Sequence, residues 1–193
     1  MLIRLAGWAA YLNAALYIII LITLVLLFTL GGIWGPINDS ASVIWALSFL
    51  PIALVFYQLH RSVNAPVSLA TTIIGIAAML LFAFLQSLLV LGVVRFEQTI
   101  ATIITLGGVI GLFVLVNGLL ARIGLTLPSG LTWFMIAYGT STLLAVVGYW
   151  LGGQDHPLAA IGYLSGTIAG PIWTIWFGRL MLAEQVTALA GTA

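Results

Sequence analysis

The chain has 193 residues, 63% hydrophobic and 5% charged, with a net charge of +1. A soluble domain carries about 25% charged residues, so the few charges here cannot cover a water-facing surface, and the bilayer must be the solvent of a single domain spanning 1–193. The small net charge leaves no footprint for nucleic acid; the absence of cysteine excludes disulfides and thiolate chemistry, and the absence of lysine excludes a Schiff base or a P-loop.

A bilayer crossing needs about 20 mostly apolar residues. Six such stretches are present. The first runs from Gly7 to Leu30 behind Arg4, too long for the apolar region of a signal peptide and without an A-x-A site, and reads as an uncleaved helix. The second runs from Ser42 to Leu59, the third from Val67 to Leu91 and the fourth from Ile100 to Ala121. The fifth runs from Leu131 to Leu151 and the sixth from Leu158 to Phe177. A short tail, 183–193, follows. Runs this long bond their backbone internally only as helices, because a barrel would need alternation. The predicted fold class is therefore all-α, a polytopic bundle of six transmembrane helices.

The gaps carry helix punctuation. Asn38, Asp39 and Ser40 are candidate N-caps for the second helix. Asn64-Ala65-Pro66, Pro128-Ser129 and Asp155-His156-Pro157 open later helices, with proline suited to a first turn. Short connections predict antiparallel neighbours. Arg4, Arg61, Arg122 and Arg179 fall in alternate gaps together with His60 and Glu184. Asp39, Arg95, Glu97, Asp155 and His156 occupy the other gaps. Because Lys and Arg favour the cytoplasmic side, both termini are expected there, in a multi-pass protein of the cell membrane. Trp8, Trp133 and Trp176 fit an inner aromatic belt, and Trp34, Trp45 and Trp150 an outer one.

Three glycines at four-residue spacing, Gly162, Gly166 and Gly170, lie on one face of the last helix and let a neighbouring backbone approach closely. Gly107 and Gly111 form a similar pair on the fourth helix, and both sets read as packing surfaces within the chain. Asn13, Gln86 and Asn117 read as interhelical hydrogen-bonding groups. No Asp, Glu, Lys or Arg falls well inside a helix, whereas a proton pump or voltage sensor normally needs one. The acidic and histidine residues of the outer gaps share no ligand spacing. No catalytic residue, metal or cofactor is therefore assigned, and the chain does not read as an enzyme.

Tyr17, Ser48, Tyr138, Thr140 and Thr142 share a depth near the membrane midplane, beside Pro51, a helix-kinking residue. Helical spacing puts Tyr138 and Thr142 on one face and Thr140 almost opposite. The candidate ligand site is therefore Tyr17, Ser48, Tyr138 and Thr142, for a neutral and largely apolar molecule.

Two segments resemble an uncharacterised family of bacterial six-helix integral membrane proteins. Arg61-Ser-Val-Asn-Ala-Pro-Val-Ser-Leu69 is similar to its inner loop, where an Arg-Pro-Val-Asn-like turn precedes an aliphatic helix. Gly170-Pro-Ile-Trp-Thr-Ile-Trp-Phe-Gly-Arg-Leu-Met-Leu182 resembles its last helix, with a Pro-x-Trp and Gly-Arg-Leu pattern. The resemblance implies the six-helix architecture and no activity.

The functional reading is a non-catalytic binder of a lipid or apolar ligand, or a subunit of a membrane complex. Its partners are membrane lipid, and a membrane-protein partner or a second copy of the chain. The alternative is a small permease or the substrate-binding subunit of a vitamin uptake transporter, with Ala10 and Ala14 as a docking face.

Overall fold

The computed structural model describes residues 1–183. The expected tail, with Glu184, lies outside these residues apart from its first position. Among the described residues five helices follow one another: α1 (Leu2–Leu30), α2 (Trp34–Val90), α3 (Phe96–Ile123), α4 (Ser129–Gly152) and α5 (Pro157–Leu182). Each is long and apolar enough to cross a bilayer. The chain is thus an all-α, multi-pass membrane bundle.

The count differs from the six separate helices expected. The second and third expected stretches run together into the 57 residues of α2, where only Asn64 leaves helical geometry, with φ −157° and ψ 92°. The reason is local. Asn64 acts as an N-cap in extended conformation, and its Oδ1 accepts a hydrogen bond from the Val67 N–H at 3.1 Å. Pro66 then sits in the first turn, where a missing N–H costs nothing. A single residue thus replaces the expected loop.

The two arms of α2, 34–63 and 65–90, fold back on each other. The rings of Trp45 and Phe82 stand 5.6 Å apart, although a straight helix would separate them by about 55 Å. Across the reversal the Ser68 hydroxyl donates to the Tyr57 carbonyl at 3.5 Å.

The first arm also starts earlier than expected, at Trp34. Asn38, Asp39 and Ser40 therefore lie inside the helix and do not cap it. Asn38 instead donates from Nδ2 to the Ile20 carbonyl and the Thr23 hydroxyl of α1, both at 2.9 Å. The Ser40 hydroxyl bonds back to the Pro36 carbonyl at 2.7 Å. The proline at 51 leaves the backbone helical. At the start of α5, His156 is the N-cap and its Nδ1 accepts from the Leu158 N–H at 3.3 Å.

Close contacts order the helices in a ring. Gly7 lies against Leu182 and Met181, and Gly130 against Trp176. Val63 meets Gly124. These contacts gather Arg4, Arg61, Arg122 and Arg179 at one end of the bundle, here the arginine end. The Arg122 guanidinium stacks over the Trp133 ring at 4.4 Å. At this end the core is filled by aromatic rings: Phe56 stands 5.0 Å from Phe177, 5.9 Å from Phe113 and 6.3 Å from Trp173. Trp8, Trp133 and Trp150 are exposed. Trp45, expected in the outer belt, is 7% exposed and belongs to the core instead, because its ring faces Phe49 and Phe82 between the helices.

Candidate functional site

Towards the opposite end the interior is not filled. A cavity of about 470 Å³ lies there, within the usual size range of ligand sites. Tyr17, Trp45, Phe82 and Tyr138 line it and separate it from the aromatic core. Tyr17 anchors this layer, with its ring 5.4 Å from Trp45 and 6.0 Å from Tyr138 in edge-to-face geometry. Tyr138 in turn stands 6.1 Å from Trp173. Above the layer the wall surface is mainly apolar, with Ile20, Ile103, Ile104 and Val146 among its residues.

Of the four expected ligand residues, three share this cavity: Tyr17, Tyr138 and Thr142. Ser48 does not. It is buried one layer away, where its hydroxyl accepts from Asn13 Nδ2 at 2.8 Å and donates to the Trp45 carbonyl at 2.6 Å. Asn13 also donates to the Trp45 carbonyl at 3.1 Å, so this pair ties α1 to α2 and lies apart from the cavity wall. Thr140 is on the exposed side of α4.

The glycines divide by function. A methyl group on Gly162 would overlap the Ala145 amide and lie 2.6 Å from the Ser141 carbonyl oxygen, so α5 meets the α4 backbone there. On Gly170 it would meet the Tyr17 ring at 2.7 Å. Gly111 is closed by Thr142. Gly166 is looser, with Ser141 Cβ at 3.7 Å and Thr142 Cγ2 at 3.8 Å. Gly107, expected to pack, has nothing within 4 Å of such a methyl and instead lines the cavity.

Several wall residues carry no signal in the sequence. Among the described residues, Asp39 is the only charged one on the wall, so the site is not wholly uncharged as expected. Asn38, Ser42 and Gln154 join it. Gln86, expected to serve packing alone, is also a wall residue, and its Oε1 is buried without a hydrogen-bond partner. The Tyr17 hydroxyl and the Trp45 indole N–H are buried too, and the Tyr17 hydroxyl lies close to the polar groups of Trp45 and Tyr138. Depth along a helix could have pointed to Gln86 and Trp45; their helical rotation could not be read.

Glu97 and Asp155 are exposed and His156 is engaged as a cap. Among the described residues, no three His, Asp or Glu side chains gather closely enough to hold a metal ion.

At the arginine end, His60 is fully buried in a second polar cluster. Its Nδ1 lies 2.9 Å from Asn117 Oδ1, and its Nε2 lies 3.1 Å from the Thr126 hydroxyl. The cluster joins α2, α3 and the loop before α4, and none of its three residues lines the cavity.

Comparison with known protein families, curated proteins and solved structures finds no match.

Proposed function

We propose that this chain is a non-catalytic integral membrane protein that binds a largely apolar lipid-like molecule in the cavity above Tyr17 and Tyr138. The observation that carries the reading is the combination of apolar walls, a volume of about 470 Å³ and a small polar set on the same wall, Asn38, Asp39, Ser42 and Gln86. A molecule with a long apolar body and one neutral polar group would fill the space, with the polar group beside Asp39, Asn38 and Gln86. Asp39 adds an acceptor suited to a hydroxyl donor.

In this reading the chain crosses the membrane six times, since each of the two folded-back arms of α2 is about 40 Å long, enough to span a hydrocarbon core of about 30 Å. Each arm of α2 makes one crossing. Both termini then lie on the cytoplasmic side of a cell membrane, where the arginine end belongs. A reporter active only in the periplasm, fused after Asp155, should be active, and one fused after Ala193 silent; the reverse pattern would overturn the orientation. The two segments that resemble the uncharacterised six-helix family lie at the reversal of α2 and along α5, and membership is part of the same proposal.

The vitamin-uptake alternative has less support. Ala10 and Ala14 are 0% and 2% exposed, so that face is spent inside the bundle and is not free to dock a partner.

Gly107→Leu tests the binding. The new side chain would grow into the cavity, and the change from glycine favours the helix by roughly 1 kcal/mol. A photoreactive hexadecanol analogue should label the cavity wall of the natural chain saturably. Labelling of G107L should fall at least about tenfold, a difference of about 1.4 kcal/mol, while thermal stability in detergent holds or rises. Undiminished labelling of a stable G107L protein would sink the binding reading.

A further inference from the structure

The cavity is not closed on all sides, and its opening has a definite place. Helices α1 and α5 run antiparallel and touch closely near the arginine end. Gly178 lies against the Gly7 carbonyl, Tyr11 and Ala10, and Gly170 lies against the Tyr17 ring. Beyond Tyr17 and Gly170 the two helices take different partners. The continuation of α1 is tied to α2 by the bonds from Asn38 to the Ile20 carbonyl and Thr23 hydroxyl. The preceding turns of α5 are held to α4. Gly166 has only Ser141 and Thr142 within 4 Å of its Cβ position, and the nearest atoms at Gly162 belong to Ser141 and Ala145.

Along this half these two glycines of α5 face α4, and the cavity wall includes residues from both α1 and α5. Leu21 and Leu24 come from α1, and Tyr163 and Thr167 from α5. Leu21, Leu24 and Tyr163 are also 44%, 38% and 43% exposed, so residues lining the cavity also lie at the surface of the bundle. Leu21 lies well inside α1, which ends at Leu30, and is about 13 Å down the helix from that end. At that depth the surrounding medium is hydrocarbon.

The geometry points to a lateral portal between α1 and α5, through which the alkyl or isoprenoid chain of a membrane lipid enters the cavity from the leaflet on the Asp39 side. The proposal rests on the lipid-binding reading and adds the source of the ligand and its route. A single chain is the occupant because the gap separates two neighbouring helices of one bundle, and both edges present aliphatic or aromatic surface at acyl-chain depth. The polar end of the same lipid then stays near Asp39, Asn38 and Gln86, three wall residues that can meet a hydroxyl group.

The absence of cysteine makes the test clean. In a Leu24→Cys, Tyr163→Cys double variant the only thiols stand on opposite edges of the portal. The protein is reconstituted in phosphatidylcholine vesicles, joined with a short bis-maleimide, and then given the photoreactive hexadecanol analogue. Joining the edges should reduce labelling of the inner wall at Ile104 and Val146 at least about tenfold, a difference of about 1.4 kcal/mol. Joining them after the probe has entered should instead retain it and slow its release. A second variant, Leu24→Trp with Thr167→Trp, plugs the seam without a linker and should slow loading in the same way.

If the joined and plugged proteins both load as fast as the natural chain, while G107L still blocks labelling, the portal is wrong and the binding reading survives. If the natural chain itself shows no saturable labelling of the wall, the binding reading fails and the portal fails with it.

Discussion

Gly162→Ala is expected to destabilise the bundle by about 1–3 kcal/mol, the usual cost of forcing an extra methyl into a filled interface. At Gly162 the methyl would meet the backbone of α4 at Ala145 and Ser141, not the movable end of a side chain. Backbone cannot rotate away, so relief requires α4 and α5 to move apart along their length. Helix association in a bilayer relies on such close packing, because lipid supplies no hydrophobic drive between helices. Gly166→Ala is the internal control. Its methyl would find atoms only at 3.7 and 3.8 Å, which is ordinary contact. That variant should match or exceed the natural stability, with up to roughly 1 kcal/mol gained from helix propensity. Unfolding of both variants by denaturing detergent would decide the matter. Equal losses at the two positions would mean that α5 does not meet α4 as described.

The three evenly spaced glycines of α5 show how far a sequence can be read. Their four-residue spacing places Gly162, Gly166 and Gly170 on one face, and spacing alone treats them alike. The structure gives them three different neighbours: the backbone of α4, a loose edge of the cavity, and the ring of Tyr17. Depth is legible throughout, because an α-helix advances a fixed 1.5 Å per residue. Depth is why Tyr17, Tyr138 and Thr142 group together on sequence alone. Rotation is not legible, since apolar residues surround every helix of a membrane bundle and leave no amphipathic stripe to read. That is why Ser48, at the same depth, falls into the same sequence-based group although it faces Asn13. It is also why Trp45 reads as a belt residue when it lies in the core.

Polar residues near helix ends mislead for a second reason. Asn38 can cap a helix or bond across to a neighbour, and the two uses have the same sequence. At Asn64 the capping reading and the structure agree in chemistry, but the turn needs one residue in place of the expected loop. Proline at 66 makes that economy available, because it supplies a fixed φ to the first turn after the cap.

His60→Leu should cost about 1–3 kcal/mol through its unpaired neighbours alone, and the bonding pattern says why. Asn117 donates from Nδ2 to the Phe113 carbonyl at 2.8 Å, which fixes the amide with Oδ1 toward the histidine. Oδ1 only accepts, so His60 Nδ1 must carry the proton and donate. Nε2 of the neutral ring is then an acceptor, and the Thr126 hydroxyl donates to it. Every polar atom of the imidazole is used, and the ring also stacks on Phe56 at 5.7 Å with an interplanar angle of 13°. The ring thus holds the end of the first α2 arm to α3 and to the loop that leads into α4. That loop contains Leu125 at φ 52°, in the left-handed region that bulky residues rarely adopt. Removing the imidazole leaves Asn117 Oδ1 buried without a donor. Asn117→Leu removes the same bond from the other side and should cost a similar amount. The double variant His60→Leu, Asn117→Leu removes the stranded acceptor together with its lost donor, so its loss should be smaller than the sum of the two single losses by about 0.5–3 kcal/mol. Strict additivity in detergent unfolding would mean that the two side chains do not act as a bonded pair. Because the cluster shares no residue with the cavity wall, hexadecanol labelling of folded His60→Leu protein should remain within about twofold of the natural chain, a difference of about 0.4 kcal/mol.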